Sequence, residues 1–266
     1  MNTYDRWLRI SAVIYRYLYL YRRSVTRAGE IVFWPVMDLL VWGFLTLYLR
    51  ELSVSNAILF LIGSLIFWDF LYRSQQATTV AFIEEMWSKN LLNIFLSPIS
   101  VWEYILGTCL LGLMKSLFTA VLLAALAWFC YAFNILAVGP MLIPFVLSLL
   151  LFGWALAMFT MALMLRFGQA AEALVWGIPF LVQPFSAVFY PVDVLPVGLR
   201  VIAYLLPSTY VFEGMRAILI NGETSWSLLL IAFALNAVYL AAGAAFFAWM
   251  FRLVREKGYL SRLGME

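Results

Sequence analysis

Six apolar segments, each matching or exceeding the ~20 residues that cross a bilayer core as a helix, occupy most of this 266-residue chain. They run over residues 30–48, 57–78, 104–132, 140–165, 170–190 and 226–251. Such segments need a low-dielectric surrounding. Only 12% of the residues are charged, against about a quarter in a soluble domain. The expected fold is therefore an all-α polytopic membrane protein with one transmembrane domain. No room is left for a soluble enzyme domain.

One stretch does not fit the pattern. Residues 184–222 hold four of the nine prolines, the charges Asp193, Arg200, Glu213 and Arg216, and several aromatics. They are too polar and too broken for a spanning helix, yet too apolar for an ordinary loop. Broken backbone at membrane depth is tolerated where protein buries it or where it lines a cavity.

Residues 4–27 read as an amphipathic helix. Arg9, Arg16 and Arg23 recur at heptad spacing, opposite Ile10, Val13, Ile14, Tyr17 and Tyr21. A helix of this kind lies in the interface plane, either as a simple positive-inside anchor or as a helix that also docks a partner. Arginines interleave with the apolar residues there, so no cleaved signal is expected. Residues 82–97 form a second amphipathic, non-spanning segment carrying Phe82, Glu84, Glu85, Met86, Trp87 and Lys89, with a break at Pro98.

Orientation follows from Lys and Arg in the short flanks. With six spans both termini share a side. That side collects Arg6, Arg9, Arg16, Arg22, Arg23 and Arg27, then Lys89, Arg166, Arg252, Arg255, Lys257 and Arg262; the other holds Arg50, Arg200 and Arg216. Both termini and residues 82–97 are thus expected in the cytoplasm, and residues 191–222 outside.

The chain contains no histidine, which excludes histidine-ligated haem, the Ser-His and Cys-His nucleophile pairs and the HExxH zinc site. No metal site is expected. Cys109 and Cys130 read as packing residues. A GxxxxGK[ST] phosphate loop is also absent.

Ionisable residues inside a membrane are costly and count as functional candidates. Asp69 and Arg73, four apart and acid first, suit a self-neutralising pair on one helix face. Asp38 is expected either to pair with Lys115 or to line a water-filled route. Glu103 and Glu172 are expected near cytoplasmic span ends, in water or paired with Arg166.

The order of these parts, with Leu96-Ser97-Pro98-Ile99-Ser100, Phe189-Tyr190-Pro191, Leu195-Pro196, Leu206-Pro207, Thr209-Tyr210 and Glu213-Gly214-Met215-Arg216, resembles the permease subunits of ABC-2 type exporters. The resemblance covers nearly the whole chain. It implies a half-transporter in the bacterial inner membrane that pairs with a second copy of itself. Two separate ABC-type ATPase subunits would supply ATP and magnesium, no cofactor residing in this chain. Nucleic acid is not an expected partner; membrane lipids are. By position, residues 82–97 would be the coupling helix, the other reading being a helix lying on lipid. Residues 191–222, with Pro191, Asp193, Pro196, Pro207, Tyr210, Glu213 and Arg216, would form two short re-entrant helices capping the exit. Phe33, Trp34, Asp38 and Trp42 of the first span and Trp176, Phe180, Phe185 and Phe189 of the fifth would line the route. Family breadth suggests a lipid-linked glycan, a polysaccharide or a hydrophobic small molecule as cargo. Two other classes compete. An ion-coupled secondary transporter or channel could use Asp38, Lys115 and Asp69/Arg73, but no internal repeat supports it. An intramembrane enzyme could use Glu84-Glu85, but the chain lacks the histidines it would need.

Overall fold

In the computed structural model of the protein, which describes residues 3–51 and 57–258, nearly every stretch is helical. Leu52 and Ser53 of the loop expected after the first span, and Arg262 of the tail, lie outside those residues. Helix α1 spans Thr3–Arg23, α2 Val25–Glu51, α3 Ala57–Trp87, α4 Leu91–Leu96 and α5 Val101–Tyr131. A 3₁₀ turn leads into α6, Leu142–Phe167; then come α7, Ala173–Val182, α8, Val197–Leu205, α9, Pro207–Arg216, and α10, Trp226–Glu256.

Among the described residues, four helical stretches are long and apolar enough to cross a membrane: Val25–Leu49, Val101–Tyr131, Ile135–Ala171 and Trp226–Glu256. The 31 residues of α5 and of α10 extend about 46 Å at 1.5 Å per residue. That exceeds the ~30 Å hydrocarbon core, so their ends stand in the headgroups or beyond.

Two expectations from the sequence change. Residues 57–78 and the first part of 82–97 are not separate elements; α3 is one unbroken helix of 31 residues. Neither proline nor glycine interrupts it between Arg73 and Trp87, and Glu84 and Glu85 are met by Arg27 of α2 and Arg16 of α1. The break falls at Lys89, whose φ is +56°. The expected span over 170–190 is likewise not one continuous helix. Its regular part is the 10-residue α7, about 15 Å long. Beyond it a 3₁₀ turn containing Pro184 ends at Ala187, which is in the left-handed region with φ +53°.

The core is built around α6, which packs against α3 on one side and α10 on the other, with α9 wedged at one end. Between apolar helices in lipid, association rests on close packing and interhelical hydrogen bonds. Both occur here. Buried Asn236 of α10 donates to the carbonyl (3.0 Å) and the hydroxyl (2.8 Å) of Ser148 on α6. Ser74 of α3 donates to the Leu150 carbonyl at 2.9 Å, and Gln75 to the Val175 carbonyl of α7 at 3.2 Å.

Helix α1 lies across α5 and seats Ile10, Val13 and Tyr17 in the protein, as the amphipathic stripe requires. The contact depends on Gly107: a Cβ there would meet Val13 Cβ at 2.9 Å and the Ile10 carbonyl at 3.2 Å. Gly107→Leu should therefore push α1 away from α5 and cost about 1–3 kcal/mol, as overpacking does. Thermal unfolding in detergent checks this; an unchanged midpoint would show that α1 is not held here.

Candidate functional site

Residue pattern places one site at the end where α1, the last turns of α3, α4 and the start of α5 converge. Its centre is Glu85, 1% exposed. A buried carboxylate needs several donors to stay charged. Arg16 Nη2 and Asn90 Nδ2 each donate to Oε2 at 2.7 Å, and the Tyr17 hydroxyl lies 2.9 Å from Oε1. The Tyr17 oxygen is also 3.0 Å from the Ala81 carbonyl. With that proton committed, Tyr104 is the donor in the 3.1 Å contact between the two tyrosines. Burial, with Tyr104 and Glu85 beside it, pushes the Tyr17 hydroxyl well above its ordinary pKa. It therefore stays a donor.

Two further pairs flank this centre. Arg9 grips Glu103 through Nε at 2.9 Å and Nη2 at 2.7 Å, the bidentate geometry that makes such pairs strong. Glu103 also closes a capping box with Ser100 at the start of α5, satisfying backbone N–H groups that have no partner within the helix. Arg27 meets Glu84 at 3.1 Å. The arginines spaced along α1 and into α2 thus fasten, in order, α5 and the end of α3. Sequence reasoning expected Glu103 in water or beside Arg166; it is instead held by Arg9. Glu172 accepts from Trp87 Nε1 at 3.4 Å.

These contacts divide residues 82–97 into two faces. Phe82, Glu85 and Met86 are buried within the subunit, and Glu84 is partly buried against Arg27. Trp87, Ser88 and Lys89, followed by Leu92, Asn93 and Leu96 of α4, are exposed. Glu84 and Glu85 thus tie the segment to α1 and α2, and Trp87, Lys89 and one side of α4 are left exposed. Sequence reasoning missed that division; the signal for it was the run of arginines in residues 9–27.

A second group follows α2 and α7. Phe33, Trp34, Asp38, Trp176 and Phe180 are exposed, whereas Trp42, Phe185 and Phe189 are half-buried. Trp42 stacks on Phe189 with centroids 4.2 Å apart, and Tyr72 of α3 packs on Phe180 at 5.7 Å. The residues singled out in the first and fifth apolar segments therefore share one side of the molecule. Asp38 and Lys115 form no ion pair; Lys115 Nζ donates to the Tyr21 hydroxyl and lies 4.0 Å from the centroid of that ring. Asp69 and Arg73 pair through the Arg73 Nε at 2.8 Å.

The third group is residues 191–222. Two short helices stand there, α8 beginning after Pro196 and α9 with Pro207 in its first turn, where the fixed φ of proline suits a helix start. The Glu-Gly-x-Arg residues hold the segment down. Glu213 Oε1 accepts the Val192 backbone N–H at 2.8 Å and lies 2.5 Å from Arg216 Nη1; Arg216 Nη2 donates to the Ala187 carbonyl at 3.0 Å. The Arg216 guanidinium also sits 4.1 Å from the centroid of Phe60. Gly214 lets α9 approach α6, since a Cβ would meet the Phe145 ring at 2.8 Å. Tyr210 donates to the Tyr204 carbonyl at 2.9 Å, while Asp193 reaches Arg200 only at 3.6 Å and is 86% exposed. Pro191 is exposed at the segment's start.

These environments set an order of cost. Glu85→Ala leaves the Tyr17, Asn90 and Arg16 donors without their acceptor and should destabilise by about 1–3 kcal/mol. Asp193→Ala, whose pair is in water, should change stability by less than about 0.5 kcal/mol. Thermal unfolding of the two variants checks the ranking, and equal effects would contradict it.

The family model described as "ABC-2 family transporter protein" matches residues 43–253. Comparison with curated proteins gives no significant match.

Proposed function

Because the chain belongs to the ABC-2 transporter family, a family of membrane transport proteins rather than enzymes, we propose that it is the membrane subunit of an ATP-driven exporter. The family match carries this reading, and the geometry of the converging helices supports it. The subunit works as a pair with a second copy and with two ATPase subunits that bind ATP and magnesium. It sits in a bacterial inner membrane with both termini in the cytoplasm, in accord with the distribution of Lys and Arg. Six crossings result if α3 and the α7 segment cross along with the four long apolar stretches.

The mechanism requires that closure of the ATPases reach the membrane helices through something stiff. Trp87, Lys89 and the exposed side of α4 are suited to seat in the ATPase. Behind them, Glu85 joins Asn90, at the start of α4, to Arg16 and Tyr17 of α1 and so to Tyr104 of α5. A push on α4 therefore loads α1, α3 and α5 together. The aromatic side of α2 and α7 faces the partner copy and lines the route, and α8 and α9 close its outer end. The cargo is a lipid-linked glycan, a polysaccharide or a hydrophobic small molecule, moved outward from the cytoplasm or its leaflet.

Co-purification with an ATPase whose hydrolysis depends on this subunit tests the proposal; transport that continues on an ion gradient without any ATPase would overturn it. Within that assay, Trp87→Ala combined with Leu92→Asp should lower subunit-dependent ATP hydrolysis several-fold, in the range of truncated interface anchors, with thermal stability unchanged. Cysteines at Val197→Cys and Tyr210→Cys report on the cap: shielding from a large water-soluble reagent in at least one nucleotide state is expected. Free reaction in every state would make residues 191–222 a solvated loop.

A further inference from the structure

A cavity of about 440 Å³ opens among α1, α2, α3, α5 and α7, within the ~300–1,000 Å³ usual for small-molecule sites. Its polar lining is dominated by cations: Arg27, Arg73 and Lys115 against the single carboxylate Glu30. Arg27 and Arg73 have counter-ions in Glu84 and Asp69, neither of which lines the cavity. Lys115 has no carboxylate within ion-pair distance among the described residues. An ammonium carries three donors, and Lys115 spends one on the Tyr21 hydroxyl. Arg73 spends Nε on both oxygens of Asp69; its terminal nitrogens make no hydrogen bond among the described residues. Two cations with unspent N–H groups therefore line one cavity.

Tyr72 and Gln76, which bond each other, also line the cavity, and the rest of the lining is apolar. Ile31, Trp34 and Trp176 line the cavity on the side of α2 and α7, whose neighbouring Phe33 and Phe180 are exposed. A ligand matching both halves has a compact, acceptor-rich anionic head and an apolar tail. The level of the cavity narrows the choice. Tyr21 and Arg27 belong to the end of α1 and the start of α2, and a basic amphipathic helix such as α1 lies at headgroup depth. Resting on the reading of the chain as an exporter permease with α1 on the cytoplasmic side, we infer that this cavity binds the phosphate head of an amphiphile from the cytoplasmic leaflet. Lys115 and Arg73 hold the phosphate oxygens, a charge-assisted arrangement suited to both side chains. Glu30 limits the site to one anionic group and offers an acceptor to a hydroxyl or ammonium beyond the phosphate.

Binding is measured on the full chain in mild detergent by native mass spectrometry, without ATPase or transport. The probes are dioleoyl phosphatidic acid, dioleoylglycerol with the same tails, and inorganic phosphate. Phosphatidic acid should be retained and dioleoylglycerol lost. Lys115→Gln should weaken retention about tenfold, the scale of one charge-assisted bond. Lys115→Arg should restore it, and Arg252→Gln, which removes an exposed cation elsewhere, should leave it unchanged. Equal retention of dioleoylglycerol, or an unaltered Lys115→Gln variant, overturns the inference. So does displacement of the lipid by equimolar inorganic phosphate. Displacement by a polyprenyl phosphate but not by other phospholipids identifies the head as that of a cargo; the reverse identifies a resident lipid. Should Lys115→Gln fail to fold, the wild-type chain still decides. A phosphatidic acid with a photoreactive group beside its phosphate should label peptides containing Tyr21–Trp34, Tyr72–Val80 and Lys115, and labelling confined to other peptides contradicts the site. A chain that transports with its ATPase yet holds no phosphate lipid would overturn this inference alone.

Discussion

The position of α1 depends on a single balance, the burial of Glu85 against the donors that surround it. A carboxylate taken out of water is tolerated only when its lone pairs are filled. Three donors, two from α1 and one from the residue that precedes α4, fill them here, so the charge fixes the relative placement of α1, the end of α3 and the approach to α4. The bidentate Arg9–Glu103 pair and the Arg27–Glu84 pair repeat the device at either side. Two of the arginines that give α1 its basic face, Arg9 and Arg16, are in the folded chain also the counter-charges for acids of α5 and α3.

Deeper in the molecule the logic shifts from charge to closeness. Lipid tails are as apolar as leucine, so helices gain little from excluding solvent there. Asn236 on Ser148, Ser74 on the Leu150 carbonyl, and the approach of α9 to Phe145 at Gly214 supply what hydrophobic burial does not. Residues 191–222 combine both kinds of contact. Glu213 and Arg216 satisfy backbone groups at Val192 and Ala187, while Gly214 brings their helix against α6.

Much of this was legible in the sequence. The apolar blocks announced an all-α membrane chain; the heptad of arginines announced α1; Pro196 and Pro207 marked where α8 and α9 begin. The family resemblance rested on these parts and agrees with the family match. What composition could not show was partnership. Residues 82–97 read as a segment separate from 57–78 because their charges make them too polar to span; arginines some sixty residues earlier pair with Glu84 and Glu85, and the helix runs on to Trp87. The same blindness placed Glu103 in water or beside Arg166, and left open a pairing of Asp38 with Lys115, whose ammonium turns to Tyr21. Residues 170–190 misled in the opposite direction. Their hydropathy is that of a span, but hydropathy averages over Pro184 and Ala187, where the backbone turns.

The continuity of α3 has a mechanical meaning. Near one end of this helix Phe60 lies beneath the Arg216 guanidinium of the cap; at the other end Trp87 borders the surface next to α4. From Phe60 to Trp87 is about 40 Å of unbroken helix at 1.5 Å per residue. The two faces of the subunit are therefore joined by a single rod. A tilt imposed at the foot of that rod appears at its head in the same instant, with no intervening joint at which the motion could be lost.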